Sequence, residues 1–132
     1  PEEEWDVLPY TATVYCLFPN TILVYQADHI EIFRVFPGDT PEESRAVLSF
    51  LIPEKAETEK AINYWQKNMD LLVATVQGED FPAGETIQAG ILSGAQDRFI
   101  WGRYELALAH YHRGMKDLLG RPPLIGREAA AE

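Results

Sequence analysis

Glu79 and Asp80 form an acidic pair between Gly78 and Phe81-Pro82, and Gln88 follows eight residues after Asp80. A carboxylate on a short loop after a helix can turn inward as a metal ligand. An open iron(II) site needs two imidazoles and one carboxylate on one face, with the other positions free for dioxygen. On spacing alone the commoner alternative is a solvated or helix-capping acid. The three histidines do not complete a ligand set. His29 stands alone in a strand-like run. His110 and His112 are at i and i+2, roughly 200° apart on a helix, and cannot chelate one ion together. They read as packing or surface residues. Cys16 is the single cysteine. It excludes an internal disulfide and any cysteine-based cluster within this chain, and its apolar setting predicts a buried thiol. Nucleophile motifs, phosphate-binding glycine loops and CxxC pairs are missing from the sequence.

The elements that must position Asp80 follow from periodicity. Strands are predicted over 11–18, 21–26, 29–36 and 44–52, where β-branched and aromatic residues dominate. Pro19-Asn20, Ala27-Asp28 and Pro37-Gly38-Asp39 separate them, and such short links favour antiparallel neighbours. From Glu57 to Val76 the apolar residues Ile62, Trp65, Met69, Leu72, Val73 and Val76 recur at helical spacing. No capping box marks the start of this helix, and Gly78 is its expected stop. A shorter helix is predicted over 85–92, interrupted by Gly94. The last runs over 103–119, with a stripe of Tyr104, Leu108, Tyr111, Met115 and Leu118 and a stop at Gly120. The order predicts an α+β fold with an antiparallel sheet. A sheet folded around a long helix encloses a cavity.

Composition bounds the partners. The 132 residues are the size of one domain, with 121–132 expected to be an extended or frayed tail. Hydrophobic residues at 46% and charged residues at 24% are ordinary globular usage. A net charge of −10 disfavours nucleic acid and anionic membranes. The sequence shows neither a signal peptide nor a spanning apolar run, so a cytoplasmic location is expected. Trp5, Trp65, Trp101 and the tyrosines could line a pocket, although aromatic residues more often fill cores.

Taken in order, these segments resemble the end of the catalytic domain of Rieske non-heme iron oxygenases, the α (large) subunit of aromatic-ring-hydroxylating enzymes. The carrying residues are VYCLFP from Val14, HIEIFRVFP from His29, the strand from Arg45 to Ile52, and the Glu79-Asp80 pair with Gln88. The pattern Glu105-x-x-Leu108-x-His110-x-His112 resembles the family's terminal helix. The likeness covers 14–120.

The resemblance implies an antiparallel sheet wrapped around a long C-terminal helix, in a helix-grip-like catalytic domain of which this chain is the C-terminal portion. It implies that Asp80 is the carboxylate ligand of a mononuclear Fe(II). Leu72, Val73, Thr75 and Val76, just before it, would then face the substrate cavity. The family's two histidine ligands lie well upstream, and a [2Fe-2S] Rieske cluster needs two cysteines and two histidines; both belong to a longer parent. The implied activity is hydroxylation of an aromatic substrate with dioxygen and electrons from a ferredoxin or reductase, in a homotrimer or α3β3 assembly. This chain alone would be inactive. The alternative from the fold pattern is a non-enzymatic module that binds an apolar small molecule.

Overall fold

The computed structural model describes residues 6–95 and 98–120. The chain divides into two compact units, the first ending at Pro82 and the second beginning at Ala83. The α+β class and the antiparallel sheet are observed. The tail from Arg121 onward and Trp5 lie outside the described residues.

In the first unit β1 (Thr13–Leu17), β2 (Thr21–Tyr25), β3 (Ile30–Pro37) and β4 (Ser44–Leu51) form a sheet in the order of the sequence. Every neighbouring pair is antiparallel. The register aligns Val14, Val24, Glu31 and Phe50 in one row, and Cys16, Ile22, Phe33 and Leu48 in the next. Since side chains alternate across the pleat, both rows share one face.

Two turn devices hold this register. Asn20 accepts the Val35 N–H at 2.9 Å through its carbonyl and donates to the Val35 carbonyl at 3.1 Å through Nδ2. The β1–β2 turn is thereby pinned to β3. At the β3–β4 turn the Gly38 N–H donates to the Glu43 carbonyl at 2.8 Å. A Cβ on Gly38 would lie 2.6 Å from the Cβ of Glu43, so this close approach requires glycine.

Helix α1 spans Glu59–Thr75. Thr58 is extended, and its hydroxyl accepts the Ala61 N–H at 3.2 Å. The threonine caps without the acidic partner of a capping box, which is why sequence placed this start only loosely. Trp65, Met69, Leu72 and Val73 are half-buried and Val76 is buried, whereas Ile62, expected on the same face, is half-exposed.

Gly78 does not stop the helix. The chain runs on through a π-helical turn, Val76–Asp80, in which the Phe81 N–H reaches the Val76 carbonyl, and then into α2 (Phe81–Leu92). Pro82 supplies a physical reason. It has no N–H for the Gly78 carbonyl, and in a continuous α-helix its ring would crowd that carbonyl. A wider turn just ahead relieves the clash. The expected loop around Asp80 is thus a helical turn.

In the second unit α2 closes at Gly94, with φ of 65°. Ser93 Oγ donates to the Gly90 carbonyl at 2.7 Å and accepts the Ala95 N–H at 3.2 Å. Helix α3 spans Leu106–Leu119 and ends, as expected, at a left-handed Gly120. It begins later than Arg103, because Glu105 turns its carboxylate back onto the Gly102 N–H. Its expected apolar stripe is only partly covered. Tyr111 and Met115 are half-buried, whereas Tyr104 and Leu118 are exposed. Among the described residues, no helix is long and apolar enough to cross a membrane.

Thr58→Ala removes a cap acceptor from the first turn of α1. We expect a loss of about 1 kcal/mol in unfolding free energy, read from the midpoint of a urea transition at unchanged slope.

Candidate functional site

The sheet face bearing Glu31 and Phe33 and the last turns of α1 border a cavity of about 820 Å³. Val24, Phe33 and Val35 supply apolar wall from the strands, and Leu71, Leu72 and Val76 from the helix. Such walls, with a few polar groups, are what a small aromatic ligand requires.

The first half of α1 is tied to the sheet by side chains. Tyr64 donates its hydroxyl to Asp28 Oδ2 at 2.8 Å. The other oxygen, Oδ1, stands 2.7 Å from His29 Nδ1, and His29 Nε2 stands 3.3 Å from Glu31 Oε1. His29 also stacks on Phe50 with centroids 4.4 Å apart, and Trp65 meets both rings edge-on at 6.1 and 6.2 Å. Aromatic pairs at these distances prefer offset-stacked or edge-to-face geometry. A strip of hydrogen bonds and rings therefore closes one end of the space between helix and sheet.

Glu31 is buried, at 7% exposure. Burying a carboxylate costs several kcal/mol unless donors compensate. The contact to His29 is at the long end of the hydrogen-bond range, and among the described residues no buried side-chain oxygen is left without a partner. Hydrogen bonds from His29 and then Tyr64 hold the Asp28 carboxyl below the ordinary aspartate range, against a smaller opposing effect of burial. The bond to Asp28 in turn raises the Tyr64 hydroxyl.

The expected site residues divide. Leu72, Thr75 and Val76 line the cavity and Asp80 borders it. Val73 does not. With Asn68 and Leu71, the lining residues fall at i, i+3, i+4, i+7 and i+8, and Val73 is one step of about 100° off that face. Asp80 ends the π turn and is exposed, so it sits at the rim. Sequence reasoning missed Gln26, His29, Glu31 and Asn68 as cavity residues. The available signal, polar residues alternating with Ile30 and Ile32, pointed the wrong way, toward solvent.

Cys16, expected to be buried, is exposed. It lies on β1, an edge strand whose inner face is poorly covered there. His112 lies tilted against Trp101 with ring centroids 4.8 Å apart, and both His110 and His112 are exposed.

An iron(II) facial triad needs two imidazoles beside the carboxylate. Among the described residues, no cluster of three histidine, cysteine or acidic side chains is placed to hold a metal. Both ring nitrogens of His29 already face carboxylate oxygens. Among the described residues there is thus no complete triad.

Tyr64→Phe removes one donor from Asp28. The folded-state value of Asp28 lies below the ordinary 3.8, so its contribution to stability is present above that pH and lost as pH falls through the folded value. In the variant the Asp28 carboxyl, followed by NMR, should titrate closer to 3.8. The stability difference between wild type and variant should shrink below that pH.

Residues 1–121 match the family model described as the ring hydroxylating alpha subunit (catalytic domain). No curated protein and no solved structure matched. With nearly its whole length covered by that family, the chain belongs to the ring-hydroxylating α-subunit catalytic domains.

Proposed function

We propose that this chain forms part of the catalytic domain of a ring-hydroxylating oxygenase, in which the cavity between the sheet and α1 receives an aromatic substrate. Asp80 is the carboxylate ligand of a mononuclear Fe(II). The observation that carries this reading is the position of Asp80, on a π turn at the rim of an apolar cavity, in a chain of this family. Single π turns within helices occur frequently at functional sites. When bound, the iron supplies dioxygen-activating chemistry. The two imidazole ligands and the [2Fe-2S] Rieske cluster are assigned to residues outside this chain. Electrons come from a ferredoxin or reductase, and the assembly is a homotrimer or α3β3 complex in the cytoplasm.

The residues present have a binding role. Phe33, Val24 and Leu72 offer apolar wall to a ring, and Thr75, Val76 and Asp80 place the reacting edge of the cavity at the end of α1. The family match spans both compact units, which favours one catalytic domain over two independent ones.

The opposite sheet face fits a larger domain. Tyr15, Leu17, Tyr25 and Leu51 are 45–52% exposed, and no large described side chain is fully buried. Full burial of such a side chain contributes about 1.5–3 kcal/mol, so further covering layers would add substantially to a net stability of about 5–15 kcal/mol.

Exposure of Asp80 favours a second reading, a module that binds an apolar molecule without metal. Asp80→Ala in the oxygenase that carries this chain separates the two. The proposal expects iron content to fall to background and turnover to drop at least about 100-fold, since even second-shell changes cost 10–100-fold. Retained far-UV circular dichroism would confirm folding. Unchanged iron and product would sink the ligand assignment and leave the binding module.

A further inference from the structure

Resting on the reading of the cavity as the substrate site, we infer that it selects aromatic molecules bearing a neutral or cationic N–H donor and rejects aromatic carboxylates, with Glu31 as the group that receives the donor. Glu31 is buried at 7% exposure and lines the cavity, among apolar neighbours of its own sheet face: Val24 beside it across β2, and Phe33 and Val35 farther along β3. One of its oxygens has a single long contact, from His29 Nε2 at 3.3 Å. A carboxylate that lines the cavity with one long protein contact can accept a further bond from a ligand donor, and hydrogen bonds to charged groups are the stronger class.

The charge of the lining gives the same sign. Among the described residues the cavity is bordered by two carboxylates, Glu31 and Asp80, and by no lysine or arginine. The one basic side chain among the described lining residues, His29, has Nδ1 against Asp28 and Nε2 against Glu31. No lining residue therefore offers the fork or ammonium that a ligand carboxylate needs on leaving water. A carboxylate on the ligand would also face Glu31 as a like charge. Gln26 and Asn68 can orient a polar substituent without favouring either charge.

The test is isothermal titration of the full chain at pH 7 with three matched probes: 1-naphthylmethylamine, 1-methylnaphthalene and 1-naphthylacetate. The amine should bind about tenfold or more tightly than the hydrocarbon, a ratio set by one hydrogen bond to a charged acceptor. The acetate should bind most weakly. In Glu31→Gln the amine's advantage over the hydrocarbon should fall below about threefold. Leu72→Trp, which fills the cavity, should weaken all three probes.

Acetate binding as tight as amine binding in the unsubstituted chain would overturn the inference, whether or not Glu31→Gln folds. So would an amine preference that survives in a folded Glu31→Gln chain. In both cases the cavity would stand as a substrate site. Failure of all three probes to bind would overturn the cavity reading itself, and this inference with it.

Discussion

The constraint on which the cavity depends is the buried Glu31 carboxylate and the chain of groups that compensates it. Glu31 faces inward in a row with Val24 and Phe50. Its burial is tolerable because His29 stands against it, and His29 is oriented by Asp28, which in turn receives the Tyr64 hydroxyl. Tyr64 lies on α1 and Asp28 precedes β3, so this polar chain spans from helix to sheet. The rings of Phe50, His29 and Trp65 run alongside it. Polar chains of this kind are strong when every member has a partner and costly when one does not.

Closure at that end leaves room at the other. Beyond Asn68 the helix presents Leu71, Leu72, Thr75 and Val76 toward the same space as the sheet's apolar row, and the cavity lies between. The helix then widens into the π turn, where Val76 is the buried member and Asp80 the rim residue. A regular α-helical continuation would have to place the Pro82 ring against the Gly78 carbonyl. The proline that follows the acidic pair therefore sets the backbone shape from which Asp80 projects.

Two carboxylates of opposite setting border the cavity. Asp80 is exposed at the rim, where the proposed function would have it meet a metal. Glu31, buried in the wall, can meet only what enters the cavity. Under the proposed function the first would serve the reacting centre and the second selection, with an apolar surface between them.

The sequence by itself determined the α+β order, the four strands to within a residue or two at most ends, and the position of α1 and of the stop at Gly120. Those features rest on local periodicity and on residues with special backbone freedom, which act within a few positions of themselves. It also carried the family, through an ordered set of segments. The tertiary structure decided what depends on facing. The strand over 29–36 was legible locally, but which of its faces turns inward was not. The register places Glu31 inward because a histidine before the strand and a tyrosine 33 residues later, on α1, supply its polar surroundings. Val73 and Leu72 are equally apolar, and only the rotation of α1 against the sheet puts one in the cavity and the other off it. The π turn escaped the sequence reading for the same reason: Gly78 is a common helix stop, and whether it ends a helix or lets one widen is settled by the proline beyond it and the buried Val76 beneath it.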